Sequence, residues 1–239
     1  MSKIFIVGTP IGNLADITYR AVETLKFVDI VACEDTRVTA KLLNYYNIKM
    51  KMIVHNKDNE KDSAKGIVEM LTKDDINLAL VSDAGMPLVN DPGFELIKLA
   101  RKNDIPIEII PGVNAAITAF ALSGLSNTFI YLGFPKEKEN QRLNQIKEFK
   151  SEHSYVFYVA TNKIEKFLLE IESIWKDQIE LFLAREMTKI YEQFYCGTPQ
   201  EVINQLHNSS TKGEFTLVAK IKEIKKVKVN KYIEFSKVK

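Results

Sequence analysis

Cysteine is nearly missing from this chain of 239 residues: there are two, Cys33 and Cys196. Two thiols cannot build a disulfide framework or a four-cysteine zinc site, which fits a reducing compartment, and a cytoplasmic location is expected. Histidine is almost as scarce. His55, His153 and His207 lie far apart without ligand spacing, so no metal site is expected. No stretch approaches the roughly 20 uncharged apolar residues of a membrane span. Met1-Ser2-Lys3 followed by Ile4 to Val7 is too short for a secretory leader. An excess of one charge is lacking too, with 33 Lys+Arg against 31 Asp+Glu, and 46% of residues are apolar, which excludes a disordered chain. What is present can fill one large core or two smaller ones, as in a soluble intracellular α/β protein.

The charge is unevenly placed. Residues 1–112 hold 14 Lys+Arg against 16 Asp+Glu, and residues 113–219 hold 11 against 13. The last 20 residues, Lys220 to Lys239, carry eight lysines and two glutamates. A basic tail on a faintly acidic body attracts a polyanion such as RNA. The alternation of Ile221, Val227, Val229, Ile233 and Phe235 with lysine equally suits a strand edge guarded against aggregation.

Apolar runs place strands at 3–7, 29–33, 50–54, 76–82 and 107–110. Helical spacing falls at 17–28, 36–46 and 60–72 and from Asp91-Pro92-Gly93 to Asn103. The strands lack polar alternation, as strands covered on both faces do. This β-α rhythm predicts a doubly wound first half. Pro111-Gly112 breaks it, and the expected domains are 1–112 and 113–239, the second ending in the basic tail 220–239. After the break comes a helix (113–124) rich in Ala, Ser and Gly. Longer strands follow at 129–133, 154–159, 179–184 and 214–222, with helices at 138–150 and 163–173. They predict a mixed-sheet α+β second half docked closely on the first. Asp16 and Asp91 are expected as helix N-caps.

In open α/β sheets ligands bind at the carboxyl ends of strands. Four loops stand there: Gly8 to Leu14, Glu34-Asp35-Thr36-Arg37, Ser82 to Gly93, and Pro111-Gly112-Val113-Asn114-Ala115. The first is neither a dinucleotide fingerprint nor a Walker loop, because its glycine spacing is wrong and no lysine follows Gly12. Asp83, beside the small Ala84 and Gly85, is a ligand candidate. Asp35 and Arg37 fit either a site or a capped helix start with a local ion pair.

Together these loops resemble the tetrapyrrole methylase superfamily, and within it the branch that methylates small-subunit ribosomal RNA. The matching strings are VGTPIGNLADIT (7–18), CEDTR (33–37), SDAGMPLVNDPG (82–93), PGVNA (111–115), SGL (123–125), Gly133-Phe134-Pro135, AREMTKIYEQF (184–194) and KGEF (212–215). They cover nearly the whole chain. Met86 stands where that branch usually has Thr, and Asn114 where it has Ser or Thr. Val159 to Lys163 replaces its Glu-Ser-Pro-His-Arg string, and the chain ends soon after KGEF, without the further segment of longer members.

The resemblance implies a two-domain tetrapyrrole-methylase-like fold and a homodimer. It implies S-adenosylmethionine bound between the domains by Pro10, Asp83, Ala84, Gly85, Asn114, Ala115, Val159, Met187 and Thr216. The reaction it implies is 2′-O-methylation of a cytidine in 16S rRNA of the small ribosomal subunit. Val159 and Met187 also fit ordinary core packing. A ribose hydroxyl is a poor nucleophile, and Asp35 and His55, with Glu186 third, are candidates to take its proton. Arg37 and Arg185 are candidates for RNA phosphates. Two other readings stay open: a methylase acting on a tetrapyrrole or other small substrate, and a non-catalytic RNA-binding relative.

Overall fold

The computed structural model of the chain describes residues 2–223, arranged around two five-stranded sheets. In the first, β1 (Lys3–Val7), β2 (Ile30–Cys33), β3 (Lys51–Val54), β4 (Asn77–Leu80) and β5 (Ile107–Ile110) run parallel in the order β3-β2-β4-β1-β5. The connecting helices are α1 (Tyr19–Phe27), α2 (Thr36–Tyr45), α3 (Glu60–Lys73) and α4 (Phe94–Lys102). Successive strand residues point to opposite faces, and both faces are covered. Ile4, Ile6, Leu78 and Leu80 pack with Ile67 and Leu71 of α3 and Leu96 of α4. Phe5, Val7, Val31 and Ala79 pack with Ala21 and Leu25 of α1 and Leu43 of α2. This double burial explains the uninterrupted apolar runs.

The second sheet is mixed. Its strands are β6 (Phe129–Gly133), β7 (Ser154–Val159), β8 (Ile179–Arg185), β9 (Gln193–Gly197) and β10 (Phe215–Ile221), in the order β6-β7-β10-β8-β9. β6 runs parallel to β7, and every other pair is antiparallel. One face carries α6 (Glu139–Lys147), α7 (Ile164–Trp175) and α8 (Pro199–His207), packed through residues such as Phe157, Phe167, Leu183, Val202 and Leu217. The other face carries α5 (Ala115–Ser123), which directly follows Pro111-Gly112. Its Ala116 and Ala119 meet Val156, Phe182, Ala184 and Val218, and Ile11 from the loop after β1 joins them. The small residues of α5 thus bring a helix close to this sheet. An ion pair ties α6 to α7: Arg142 donates to Glu170 at 2.5 and 2.6 Å, with both side chains about 10% exposed.

The two-domain α/β architecture is the one expected, and most elements fall within a residue or two of their expected bounds. Four points differ. Thr18, not Asp16, caps α1, because its hydroxyl accepts from the Ala21 N–H at 3.1 Å. Asp91 caps nothing. α4 starts at Phe94, and its first N–H groups are taken by a carboxylate from another helix: Glu60 Oε1 accepts from Gly93 (2.9 Å) and Glu95 (3.2 Å). β9 and α8 were not expected, although Thr198, Pro199 and Glu201 form a complete capping box. Lys220 and Ile221 lie on β10, a central strand rather than an edge. The rest of the basic tail, from residue 224 to 239, lies outside the described residues. Among the described residues no helix is long and apolar enough to cross a membrane.

Candidate active site between the two sheets

The loops leaving β1, β2, β4 and β5 are fastened to one another. Thr9 and Gly85 exchange backbone hydrogen bonds at 2.8 and 3.2 Å, and the Thr9 hydroxyl reaches the Ser82 carbonyl at 3.2 Å. This joins the first loop to the third. The second joins the third where Asp83 Oδ1 accepts from the Asp35 N–H at 3.1 Å and Glu34 Oε1 from the Asp83 N–H at 3.4 Å. The first meets the fourth back to back at Gly8 and Gly112, where a Cβ on Gly8 would lie 2.7 Å from Gly112 Cα and N. Only glycine permits that approach.

The first, third and fourth of these loops and the facing ends of β7 and β10 enclose a cavity of about 430 Å³. Ile11, Met86, Val89, Val159 and Phe215 supply apolar wall, and Asn90, Asp91, Asn114, Tyr158 and Thr216 supply polar groups. The size and the balance suit a nucleoside-sized ligand. The 85–93 segment that forms one side is bent unusually. Gly85, Leu88, Asn90 and Gly93 all have positive φ, at 83°, 69°, 72° and 128°. Such a conformation in Leu88 and Asn90 costs energy and persists because neighbours over-determine it. One neighbour is Tyr131, whose hydroxyl donates to Asn90 Oδ1 at 2.7 Å.

Of the nine positions expected around S-adenosylmethionine, Ala84, Gly85, Asn114, Ala115, Val159 and Thr216 line this cavity. Pro10, Asp83 and Met187 do not. Pro10 is buried between Thr9 and Ile11, and Met187 packs with Ile11, Val156 and Phe182. Asp83 is exposed and spends its carboxylate on the Asp35 N–H; partial burial and then the charge of Asp35 raise its pKa. Asn114 caps α5, its Oδ1 accepting from Ala116 and Ile117 at 3.0 and 3.1 Å. Ser or Thr at that position would do the same work, so this departure from the family pattern preserves the local structure. Met86, another departure, receives the Gly112 N–H on its sulfur at 3.2 Å.

The proposed proton acceptors are not brought to the cavity wall. Asp35 caps α2 and is gripped by Arg37, whose Nε and Nη2 lie 3.0 and 2.5 Å from its oxygens. The Arg37 side chain beside it holds its carboxyl down at about 2, so it is a weak base. His55 is fully buried, its Nδ1 2.6 Å from the Ser63 hydroxyl, and burial lowers its pKa despite Glu60 nearby. It cannot touch a substrate in this arrangement. Glu186 accepts from the Glu214 N–H at 2.8 Å and pairs with Lys189 at 3.1 Å. Arg185, expected at RNA phosphates, is buried and donates to the carbonyl of Lys212 and to Gln193 Oε1 at 2.6 and 2.9 Å. Arg37 is exposed and does not line the cavity.

Reading the sequence passed over Glu34 and Asp91. Burial, with the charges of Asp91 and Asp83, pushes the Glu34 carboxyl up to about 7. Burial, with Asp83, pushes Asp91 up to about 6, against the Ser82 hydroxyl and Lys57. Among the described residues no three or more His, Cys, Asp or Glu side chains are placed to hold a metal ion.

Comparison with known proteins agrees with this geometry. The family model described as Tetrapyrrole (Corrin/Porphyrin) Methylases matches residues 3–203. A protein from Mesomycoplasma conjunctivae named "Ribosomal RNA small subunit methyltransferase I" is 45% identical over 99% of this chain and 99% of its own length. Proteins of the same name from Mycoplasmopsis pulmonis and Thermotoga maritima are 47% and 42% identical, each over 93% of this chain and all of the relative. Among solved structures, a cobalt precorrin-4 methyltransferase superposes with a TM-score of 0.66 at 17% identity, covering 90% of this chain and 94% of that one. Uroporphyrin-III-C-methyltransferase from Thermus thermophilus gives 0.64 at 15%, covering 90% and 93%. At such low identity the solved structures speak for the fold alone. On the family match and the close relatives together, the chain belongs to the tetrapyrrole methylase family.

Proposed function

We propose that the chain transfers a methyl group from S-adenosylmethionine to the 2′-hydroxyl of a cytidine in 16S rRNA of the small ribosomal subunit. The observation that carries this reading is the cavity between the sheets, lined in large part by SDAGMPLVNDPG (82–93), PGVNA (111–115) and KGEF (212–215). When bound, S-adenosylmethionine supplies an electrophilic methyl carbon on a sulfonium. A ligand of that kind asks for apolar walls and a few polar anchors. Ile11, Met86, Val159 and Phe215 provide the first, and Asn114, Thr216 and the backbone of Ala84 the second. The relatives' name supports ribosomal RNA as substrate. Residues 1–112 and 113–239 act as two domains with the cavity between them, in a cytoplasmic homodimer.

Transfer to a hydroxyl is an in-line displacement, so catalysis lies in positioning and in removing a proton. The fastened loops hold one wall rigidly, and Arg37, exposed on the second loop that is tied to Asp83, is the candidate to meet a phosphate. The test is incorporation of an isotopically labelled methyl group into purified small subunits lacking the modification. Label in small subunits, with none in large subunits or uroporphyrinogen, is expected. Label in the tetrapyrrole instead overturns the substrate, and no calorimetric binding of S-adenosylhomocysteine overturns the site.

A further inference from the structure

We propose that the carboxylate of Asp91 accepts the proton of the substrate hydroxyl during methyl transfer. The inference rests on the methyl-transfer reading above. In the step, the hydroxyl oxygen forms a bond to the methyl carbon while the carbon–sulfur bond breaks. The sulfur keeps that electron pair and becomes a neutral thioether. The proton lost by the oxygen passes to Asp91, which later releases it to water.

Three observations single out this carboxylate. First, the carboxylic side chains lining the cavity are Asp91 and Glu214. Glu214 is 74% exposed and bound to Lys189 at 3.0 Å, whereas Asp91 is in no ion pair among the described residues. Second, the local sequence should have consumed Asp91 as a helix cap, yet Glu60 from α3 takes that work over. The carboxylate is thereby left to the cavity. Third, the backbone beside it is held in an uncommon conformation, with Asn90 at φ 72° pinned by Tyr131. Strain at that place fits a side chain whose aim matters more than its comfort.

The surroundings tune it in the needed direction. Asp91 faces Ser82 and Asp83 on its own loop, Glu34 at the end of β2 and Lys57 after β3. Tyr131 of β6 and Tyr158 of β7 face it from the second sheet. Burial and the Asp83 carboxylate raise its proton affinity to about 6, while Ser82 and Lys57 oppose them. An acceptor poised there is ionised at neutral pH and far more basic than Asp35 at about 2. Glu34, pushed up to about 7 in part by the Asp91 charge, is still mostly protonated where Asp91 titrates and adds little charge there.

The test compares the wild-type protein, Asp91→Asn and Glu34→Gln. The readouts are methyl transfer to small subunits against pH, calorimetric affinity for S-adenosylhomocysteine, and carbon-13 titration of the aspartate carboxyls without ligand. In the wild type an aspartate carboxyl should titrate near 6, and kcat should rise through the same pH. Asp91→Asn should abolish both, lowering kcat by about 10²-fold or more while product affinity stays within about threefold. Glu34→Gln should leave the carboxyl midpoint and the kcat limb together near 6, because Glu34, pushed up to about 7, is still mostly protonated where Asp91 titrates. Asp91→Asn with near wild-type kcat and an unchanged limb overturns the proposal. So does a limb that parts from the Asp91 carboxyl midpoint in Glu34→Gln. Absence of methyl transfer by the wild type overturns the functional reading instead. The carbon-13 titration then still decides whether Asp91 has the raised proton affinity expected of a carboxylate so placed.

Discussion

Replacing Gly8 by alanine probes the geometry on which the cavity depends. The new methyl would sit 2.6 Å from Met86 Sδ and 2.7 Å from the Cα and N of Gly112. Relaxed contacts lie near 3.5–4.0 Å, so something must move by roughly 1 Å. Met86 cannot simply swing aside, because its sulfur receives the Gly112 N–H. The two Gly112 atoms are backbone, and moving them carries Asn114 and Ala115 away from the cavity wall. Overpacking of this kind costs about 1–3 kcal/mol. For a chain of this length that lowers Tm by about 2–4 °C per kcal/mol. A displacement near 1 Å of the binding wall costs methyl transfer on the order of 10²-fold. The control is Gly66→Ala in the middle of α3, where a Cβ meets nothing within 4 Å. There alanine should stabilise by about 0.5–1 kcal/mol and leave donor affinity alone. Thermal melts, calorimetry with S-adenosylhomocysteine and single-turnover methyl transfer read all three effects. If Gly8→Ala melts and binds like Gly66→Ala, the close approach of the first and fourth loops does not set the site.

Glu170→Ala leaves Arg142 buried without its carboxylate and should cost about 3–5 kcal/mol in urea unfolding with little change in donor affinity; a loss under about 1 kcal/mol refutes the burial argument. The Glu34 carboxyl titrates about 7 in the fold against an ordinary 4.5, so the native state holds its proton more tightly. Its contribution is therefore greatest below 4.5 and is lost as pH rises through about 7. Glu34→Gln should thus be more stable than wild type by about 1–3 kcal/mol at pH 8, allowing for solvent screening, and show no gain at pH 4; an equal gain at both contradicts the sign. Arg37→Ala frees Asp35 and removes an exposed cation on the loop tied to Asp83, so methyl transfer to small subunits should fall more than binding to unrelated RNA. A filter-binding and transfer comparison checks it, and full activity makes the Glu34–Arg37 turn structural.

The fold was legible because burial on two faces writes itself into uninterrupted strands such as Ile4–Val7 and Leu78–Val81. The four loops were legible because glycine, proline and charge gather only where a chain must turn tightly or meet a ligand. Local patterning failed where a distant residue does a local job. Asp91-Pro92-Gly93 has the form of a helix start, and nothing near it in sequence announces that Glu60 caps α4 instead. Likewise the EDTR turn gave up Asp35 and Arg37 as candidates, while its Glu34, folded against Asp83 and Asp91, carries the altered acidity. β9 and α8 were within reach: the box at Thr198 and Glu201 was readable, but the short edge strand before it alternates weakly.

Where the methyl group lands is decisive. Small subunits incubated with the protein and isotopically labelled S-adenosylmethionine, then digested to nucleosides, place the label by mass spectrometry. The expected result is labelled 2′-O-methylcytidine, with the label on the ribose and lost in Asp91→Asn. Label on a base, or none in RNA while a tetrapyrrole accepts it, contradicts the account.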